Sequence, residues 1–132
     1  MSISITPFLR NVLLLDAVVS GGAAVLMVAG ASLLSPMLAL PAGLLFWAGL
    51  ALAPFVAMLV AIARRPSVAR MLLIDIIAIN VLWVAGSFGL LLSGAVAPSL
   101  LGVLFVTAQA LAVAAFAALQ LVGLRRAVMV AA

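Results

Sequence analysis

The chain has 132 residues, of which 70% are apolar and 6% are charged. Soluble domains are about 45–50% apolar and about 25% charged, so this composition excludes a water-soluble fold. The net charge of +4 comes from six basic and two acidic side chains. Because so few groups carry this charge, it indicates how the chain is oriented in a membrane. We do not interpret it as a sign of nucleic-acid binding.

Cysteine, histidine and tyrosine are absent. Their absence removes thiolate nucleophiles, histidine-ligated zinc or haem, and the Ser-His-Asp arrangement of many hydrolases. The sequence also has no phosphate-binding loop, dinucleotide fingerprint or cluster of metal ligands. We therefore predict no catalytic residue, no metal, no cofactor and no enzymatic activity.

The first predicted membrane span covers about residues 11–34. Thr6 followed by Pro7 is typical of a helix N-cap and first helical position. The alternative is a secretory signal peptide cleaved near residues 29–31. The apolar stretch exceeds the ~7–15 residues of such a signal and contains Asp16, which favours a membrane span.

A turn at residues 35–40 separates this span from the second, which covers about 41–63. Small residues recur at every fourth position of the second span. They are Gly49, Ala53, Ala57 and Ala61. A ridge of this kind lets another helix approach closely.

The third and fourth predicted spans cover about 71–93 and 100–123, each long enough to cross a bilayer as a helix. Further small-residue ridges run from Ala85 to Ser93 and from Ala110 to Ala118. The predicted fold is an all-α membrane protein, a four-helix up-down-up-down transmembrane bundle that forms one domain over residues 1–132.

All the arginines lie near the two ends of the chain or between the second and third spans. They are Arg10, Arg64, Arg65, Arg70, Arg125 and Arg126. Neither of the two other turns carries a charge. The positive-inside rule therefore predicts cytoplasmic N- and C-termini for a multi-pass protein of the cell inner membrane.

The two halves of the chain resemble each other at a constant offset. Matched pairs are Asp16 with Asp75, Gly30 with Gly89, and Gly43 with Gly102. So biased a composition also produces chance matches. A true repeat would be a duplicated helical hairpin, with a pseudo-two-fold axis along the membrane normal and both aspartates at similar depth.

Several polar side chains lie within the spans and form a candidate intramembrane polar site. They are Asp16, Ser20, Asp75, Asn80, Ser87, Gln109 and Gln120. An ionisable group in a span costs roughly 2.5–3.5 kcal/mol on insertion scales and is a functional candidate for that reason. The aspartates could bind protons during transport or anchor a cationic ligand. Alternatively, the arginines that flank the spans are their ion-pair partners, and the pairs are structural.

The amides of Asn80, Gln109 and Gln120 also allow two interpretations. They could line a polar cavity for a small ligand, or they could bond across helices, where each bond contributes about 0.6 kcal/mol. Gln109 and Gln120 lie on one helical face, and Asn80 shares a face with Trp83 and Ser87.

Three stretches carry a resemblance to known proteins. They are Asp16 in the first span, residues 78–83 in the third, and residues 109–112 with 120–126 in the fourth. In these the chain resembles a group of small four-helix bacterial integral membrane proteins. That resemblance implies a bacterial inner-membrane protein and no particular substrate.

The chain is also similar in length to the small multidrug transporters, which have four helices and an acidic residue in the first. It lacks glutamate and tyrosine and carries a second acid, Asp75, in its third span. The similarity is therefore one of architecture alone.

Together these features predict a non-enzymatic accessory, assembly or lipid-organising component that acts within the bilayer. For the protein as such, the expected partners are membrane lipids and either another membrane protein, as the accessory role requires, or a second copy of the chain. The alternative is a small dimeric proton-coupled transporter that uses Asp16 and Asp75. Aspartates that both face the interior away from arginine favour transport, whereas contact of each with an arginine favours the accessory role.

Overall fold

Five helices make up most of the protein in a computed structural model that describes residues 1–127 and the backbone of 129 and 130. They are α1 (Pro7–Ala29), α2 (Ala31–Leu38), α3 (Ala42–Ala63), α4 (Arg70–Ser93) and α5 (Leu100–Arg126). All except α2 are long and apolar enough to cross a membrane. The prediction of a helical membrane fold is confirmed at this level.

The region of the first predicted span, residues 11–34, contains a break that the sequence analysis did not predict. The first helix ends before Gly30, whose N–H donates to the carbonyl of Leu26. A Cβ at Gly30 would lie only 2.6 Å from that carbonyl oxygen, so the close approach requires glycine. Residues 35–38, predicted as part of a turn, belong to α2, and the turn follows at Ala39 with a left-handed φ of 52°.

Three short strands, also absent from the sequence prediction, join the ends of the long helices. They are β1 (Ser2–Ser4), β2 (Ser67–Ala69) and β3 (Met129–Val130). The first strand is central and pairs antiparallel with both others. It therefore brings together the segment before α1, the α3–α4 connection and the segment after α5. We call this end of the bundle the sheet end.

At the opposite end, α2 contacts the start of α5. The Ser99 N–H donates to the Leu38 carbonyl at 3.0 Å, and its hydroxyl donates to the Met37 carbonyl at 2.8 Å. The Ser99 hydroxyl also accepts from the N–H of Gly102 and so caps α5. A Cβ at Gly102 would collide with the Leu38 carbonyl, so this contact needs glycine.

The long helices pack mainly as two pairs, α1 with α3 and α4 with α5, and α1 also packs against α5. In the described chain, α3 and α4 do not form a packed pair. The buried residues of α4 are Leu73, Ile76 and Asn80, all in its first half. The helix is therefore enclosed near the sheet end and less covered beyond it.

Of the four residues in the small-residue ridge predicted on α3, one packs closely against another helix. Gly49 packs on α1, where an added Cβ would lie 2.8 Å from the Cβ of Met27. The side chains of Ala53, Ala57 and Ala61 are exposed. A step of four residues turns about 40° around a helix with about 3.6 residues per turn, so the ridge rotates away from α1.

Candidate functional site

A buried carboxylate connects three of the long helices. Asp16 on α1 is 0% exposed. Its Oδ1 accepts from the Ser20 hydroxyl at 2.9 Å, and its Oδ2 accepts from Asn80 Nδ2 at 3.0 Å and Gln120 Nε2 at 2.7 Å. Asn80 Nδ2 also donates to Gln120 Oε1 at 2.9 Å. We call these four residues the Asp16 cluster.

Helical spacing explains why these side chains meet. Ser20 lies one turn after the aspartate, so both groups occupy the same face of α1. Asn80 lies one turn after the buried Ile76, and Gln120 one turn after the buried Phe116. Each amide therefore projects from the inward apolar face of its helix, where only another polar group can satisfy it.

The Asp16 carboxylate is surrounded by neutral donors. Its hydrogen-bond partners are one hydroxyl and two amides. Among the described residues, no buried side-chain nitrogen or oxygen lacks a hydrogen-bond partner. Burial of a polar group is costly unless it is hydrogen-bonded, and the donors supply those bonds in place of a counterion. The Asp16 cluster can therefore fix α1, α4 and α5 relative to one another.

Asp75 lies outside this cluster. Its side chain is exposed on α4. It precedes Asn80 by five positions, which places the two side chains about 140° apart around the helix. The structure therefore brings Asp16 together with Asn80 and Gln120, and it does not bring Asp16 and Asp75 together.

The arginines bind elsewhere. Arg10 donates from Nε to the Ala63 carbonyl at 2.7 Å and from Nη2 to the Arg65 carbonyl at 3.0 Å. It thus satisfies carbonyls at the end of α3, which have no partner within that helix. The exposed arginines near the sheet end are Arg64, Arg65, Arg70, Arg125 and Arg126. In the part of the chain that the structure describes, no hydrogen bond joins an arginine to either aspartate.

A second group of polar side chains connects α4 and α5. Trp83 Nε1 donates to Gln109 Oε1 at 2.6 Å, and Gln109 Nε2 donates to Ser87 Oγ at 3.0 Å and to the Val106 carbonyl at 2.9 Å. The Ser87 hydroxyl donates to the carbonyl of Trp83 at 2.7 Å. We call Trp83, Ser87 and Gln109 the Trp83 cluster. All three side chains are half-buried.

Trp83 was not among the candidate site residues predicted from the sequence. The signal was present, because Trp83 shares a helical face with Asn80 and Ser87. Nothing in the sequence, however, pairs that face with Gln109 on another helix.

The Trp83 cluster lies in the wall of a cavity of about 560 Å³. Residues from α1, α3, α4 and α5 line the cavity, and nearly all of them are apolar. It lies in the half of the bundle away from the sheet end, where α4 is least covered. The lining residue Leu82 is 70% exposed, so the cavity opens at the outer surface of the helices.

Compared with protein-family models, curated proteins and solved structures, the chain matches none. Its class therefore follows from its own fold and polar groups. Four long apolar helices of membrane-spanning length define a multi-pass membrane protein.

Proposed function

We propose that this protein is a non-enzymatic accessory, assembly or lipid-organising component of a bacterial inner membrane. The observation that carries this proposal is the closure of the Asp16 cluster. Its carboxylate is fully buried and bonded to three neutral donors. An acid in such surroundings is suited to holding helices in register and has no open path for a substrate.

A small dimeric proton-coupled transporter is the second candidate. The location of Asp16 inside the bundle, with no arginine among its hydrogen-bond partners, favours it. The separate position of Asp75 on the exposed side of α4 weighs against it. Two coupling acids would have to exchange protons with one shared pathway. Asp16 is buried inside the bundle and Asp75 is exposed on α4, so they do not share such a pathway.

In this proposal the long helices follow an up-down-up-down order, with both termini in the cytoplasm. The sheet supports the order, since it joins the segments flanking α1, α3, α4 and α5 at one end. The orientation is supported by the exposed arginines near that end, because positive charge favours the cytoplasmic side.

A duplicated hairpin remains part of the proposal. Its support is the packing of the long helices as two sequential pairs, α1 with α3 and α4 with α5. A partner within the bilayer would find the exposed small residues Ala85, Gly89 and Ser93 on α4. Small residues allow close contact between membrane helices.

Copurification in mild detergent, followed by mass spectrometry of proteins and lipids, tests the proposal. We expect a stoichiometric membrane-protein partner or a selectively enriched lipid. The Asp75→Asn variant is the control. It leaves the Asp16 cluster intact, so it should copurify with the same protein or lipid as the unaltered chain.

A pure homodimer with no enriched lipid would contradict the accessory role. Proton flux would then be measured in vesicles that contain the protein. Flux that both Asp16→Asn and Asp75→Asn abolish would support the transporter. Flux that is absent from the unaltered protein would remove the transporter as well.

A further inference from the structure

The cavity has the size and access of a site for a membrane-dissolved molecule. Its volume of about 560 Å³ lies within the ~300–1,000 Å³ typical of small-molecule sites. Leu44 of α3 and Leu82 of α4 both line it and are both exposed, and these two helices do not form a packed pair. The opening therefore lies between α3 and α4, on the surface that faces lipid chains.

The interior of the cavity is uncharged. None of its lining residues is an arginine or an aspartate. A charged headgroup placed there would lose its hydration and meet no opposite charge, which is strongly unfavourable. The portion of a ligand that enters is therefore neutral and largely apolar.

The donors and acceptors that remain free in the Trp83 cluster determine which polar group of a ligand can bind there. The indole of Trp83 has one donor, which is used on Gln109 Oε1. Both amide hydrogens of Gln109 are used, on Ser87 Oγ and on the carbonyl of Val106. The hydroxyl hydrogen of Ser87 is used on the Trp83 carbonyl.

Once these bonds are made, the side chains of the Trp83 cluster can form further hydrogen bonds only as acceptors. Gln109 Oε1 and Ser87 Oγ each keep one lone pair after these bonds, and both residues line the cavity. A ketone, ester or ether would face oxygen atoms that also only accept. A hydroxyl group, in contrast, can donate to either oxygen.

From these observations we propose that the cavity binds an uncharged lipid alcohol that enters from the bilayer between α3 and α4. Its apolar body fills the cavity, and its hydroxyl donates to Gln109 Oε1 or Ser87 Oγ. This site goes beyond the accessory role and does not depend on it, because a protein with or without a membrane partner could bind such a lipid.

Quenching of tryptophan fluorescence tests the site directly. The chain has two tryptophans, so the Trp47→Phe variant leaves Trp83 as the sole indole. In phospholipid vesicles, we would add dibromostearyl alcohol or its methyl ether and express each as a mole fraction of membrane lipid. The alcohol should quench Trp83 saturably, at about a fivefold lower mole fraction than the ether, the ratio for one lost hydrogen bond of about 1 kcal/mol.

Two glycine variants in the same background show whether quenching occurs in the cavity. Gly86 lines the cavity, and a Cβ there meets nothing within 4 Å, so Gly86→Leu has room at the backbone for its larger side chain to enter the cavity. It should abolish the saturable component. Gly89→Leu is the matched control, because Gly89 is equally open, is exposed and lies outside the cavity wall.

Ser87→Ala tests the hydrogen-bond argument. Loss of this hydroxyl releases one amide hydrogen of Gln109 toward the cavity. The cluster then gains a donor that an ether oxygen can accept from, so the preference for the alcohol over the ether should narrow toward equality. Tighter binding of the ether in this variant would not follow from a general loosening of the helices.

Equal quenching by alcohol and ether in the Trp47→Phe protein would overturn the selection of a hydroxyl. Quenching that never saturates, or that persists in Gly86→Leu, would overturn the cavity as the site. Neither result bears on copurified partners, so the failure of this proposal is distinct from failure of the accessory role.

Discussion

Two glutamines on α5 have contrasting surroundings, although they lie on the same helical face. Gln120 is 0% exposed and belongs to the Asp16 cluster, where it bonds to an aspartate and an asparagine from two other helices. Gln109 is half-buried and belongs to the Trp83 cluster, where its side-chain bonds go to α4 and to its own helix.

The position of α4 accounts for the difference. Near the sheet end, β2 follows α3 and leads directly into α4, and the first buried side chains of α4 join a hydrophobic cluster with residues of α1 and α3. Leu73 and Ile76 are buried there. Farther along, α4 has α5 as its main neighbour, and the cavity occupies the space beside it. Distance from the sheet thus decides which polar cluster is closed and which is open.

The largest expected effect is on stability, from replacing each glutamine with leucine. Gln120→Leu removes one donor from a buried carboxylate and should lower the free energy of unfolding by about 2 kcal/mol. Gln109→Leu removes two half-buried bonds to α4, each contributing about 0.6 kcal/mol on average between membrane helices, and should lower it by about 1 kcal/mol. Unfolding with increasing denaturing detergent would measure both values. Equal losses would show that the two clusters do not differ in stabilisation.

The two aspartates should differ in the same direction, with a smaller loss of stability at the buried Asp16 than at the buried Gln120. Asp16→Asn turns one accepting oxygen into a donor that faces other donors, so we expect a loss of about 1–2 kcal/mol. Asp75→Asn should change stability by about 0.5 kcal/mol or less, as is usual for exposed positions. The same unfolding assay applies. A larger loss of stability in Asp75→Asn would mean that the Asp75 carboxylate has a hydrogen-bond or ion-pair partner in the folded protein.

The third comparison measures access to the two clusters. Because the chain has no cysteine, Ser20→Cys and Ser87→Cys each introduce a unique thiol. A small uncharged maleimide should label the thiol at position 87, in the cavity wall, and leave the buried one at position 20 unlabelled. Labelling in folded protein, with denatured protein as the full-labelling control, measures this. Rapid labelling at position 20 would show that the Asp16 cluster opens.

Much of the helical fold could be predicted because its cause is local. Long apolar runs indicate membrane-spanning helices whatever their neighbours are. The break at Gly30 was missed because it depends on the approach of a carbonyl, which composition does not reveal. The three strands were missed because segments of two or three residues are too short to show an alternating pattern.

The candidate site was less predictable, since it depends on which helices meet. The sequence identifies Gln109 and Gln120 as polar residues on one face, and it cannot show that they contact different partners. It also gives Asp16 and Asp75 matching positions in the two halves of the chain. Their burial differs because α1 has neighbours around Asp16, whereas the Asp75 side of α4 is uncovered.

The small sheet also bears on the order in which the protein is made. Its central strand, β1, is synthesised first, yet one partner follows α3 and the other follows α5. One edge of β1 must therefore wait until four long helices have left the ribosome. Completion of the sheet therefore requires that all four long helices have been made and that the strands beside them have met at one end of the bundle. A misplaced helix would leave a strand edge unpaired, and an unpaired edge can pair with another chain.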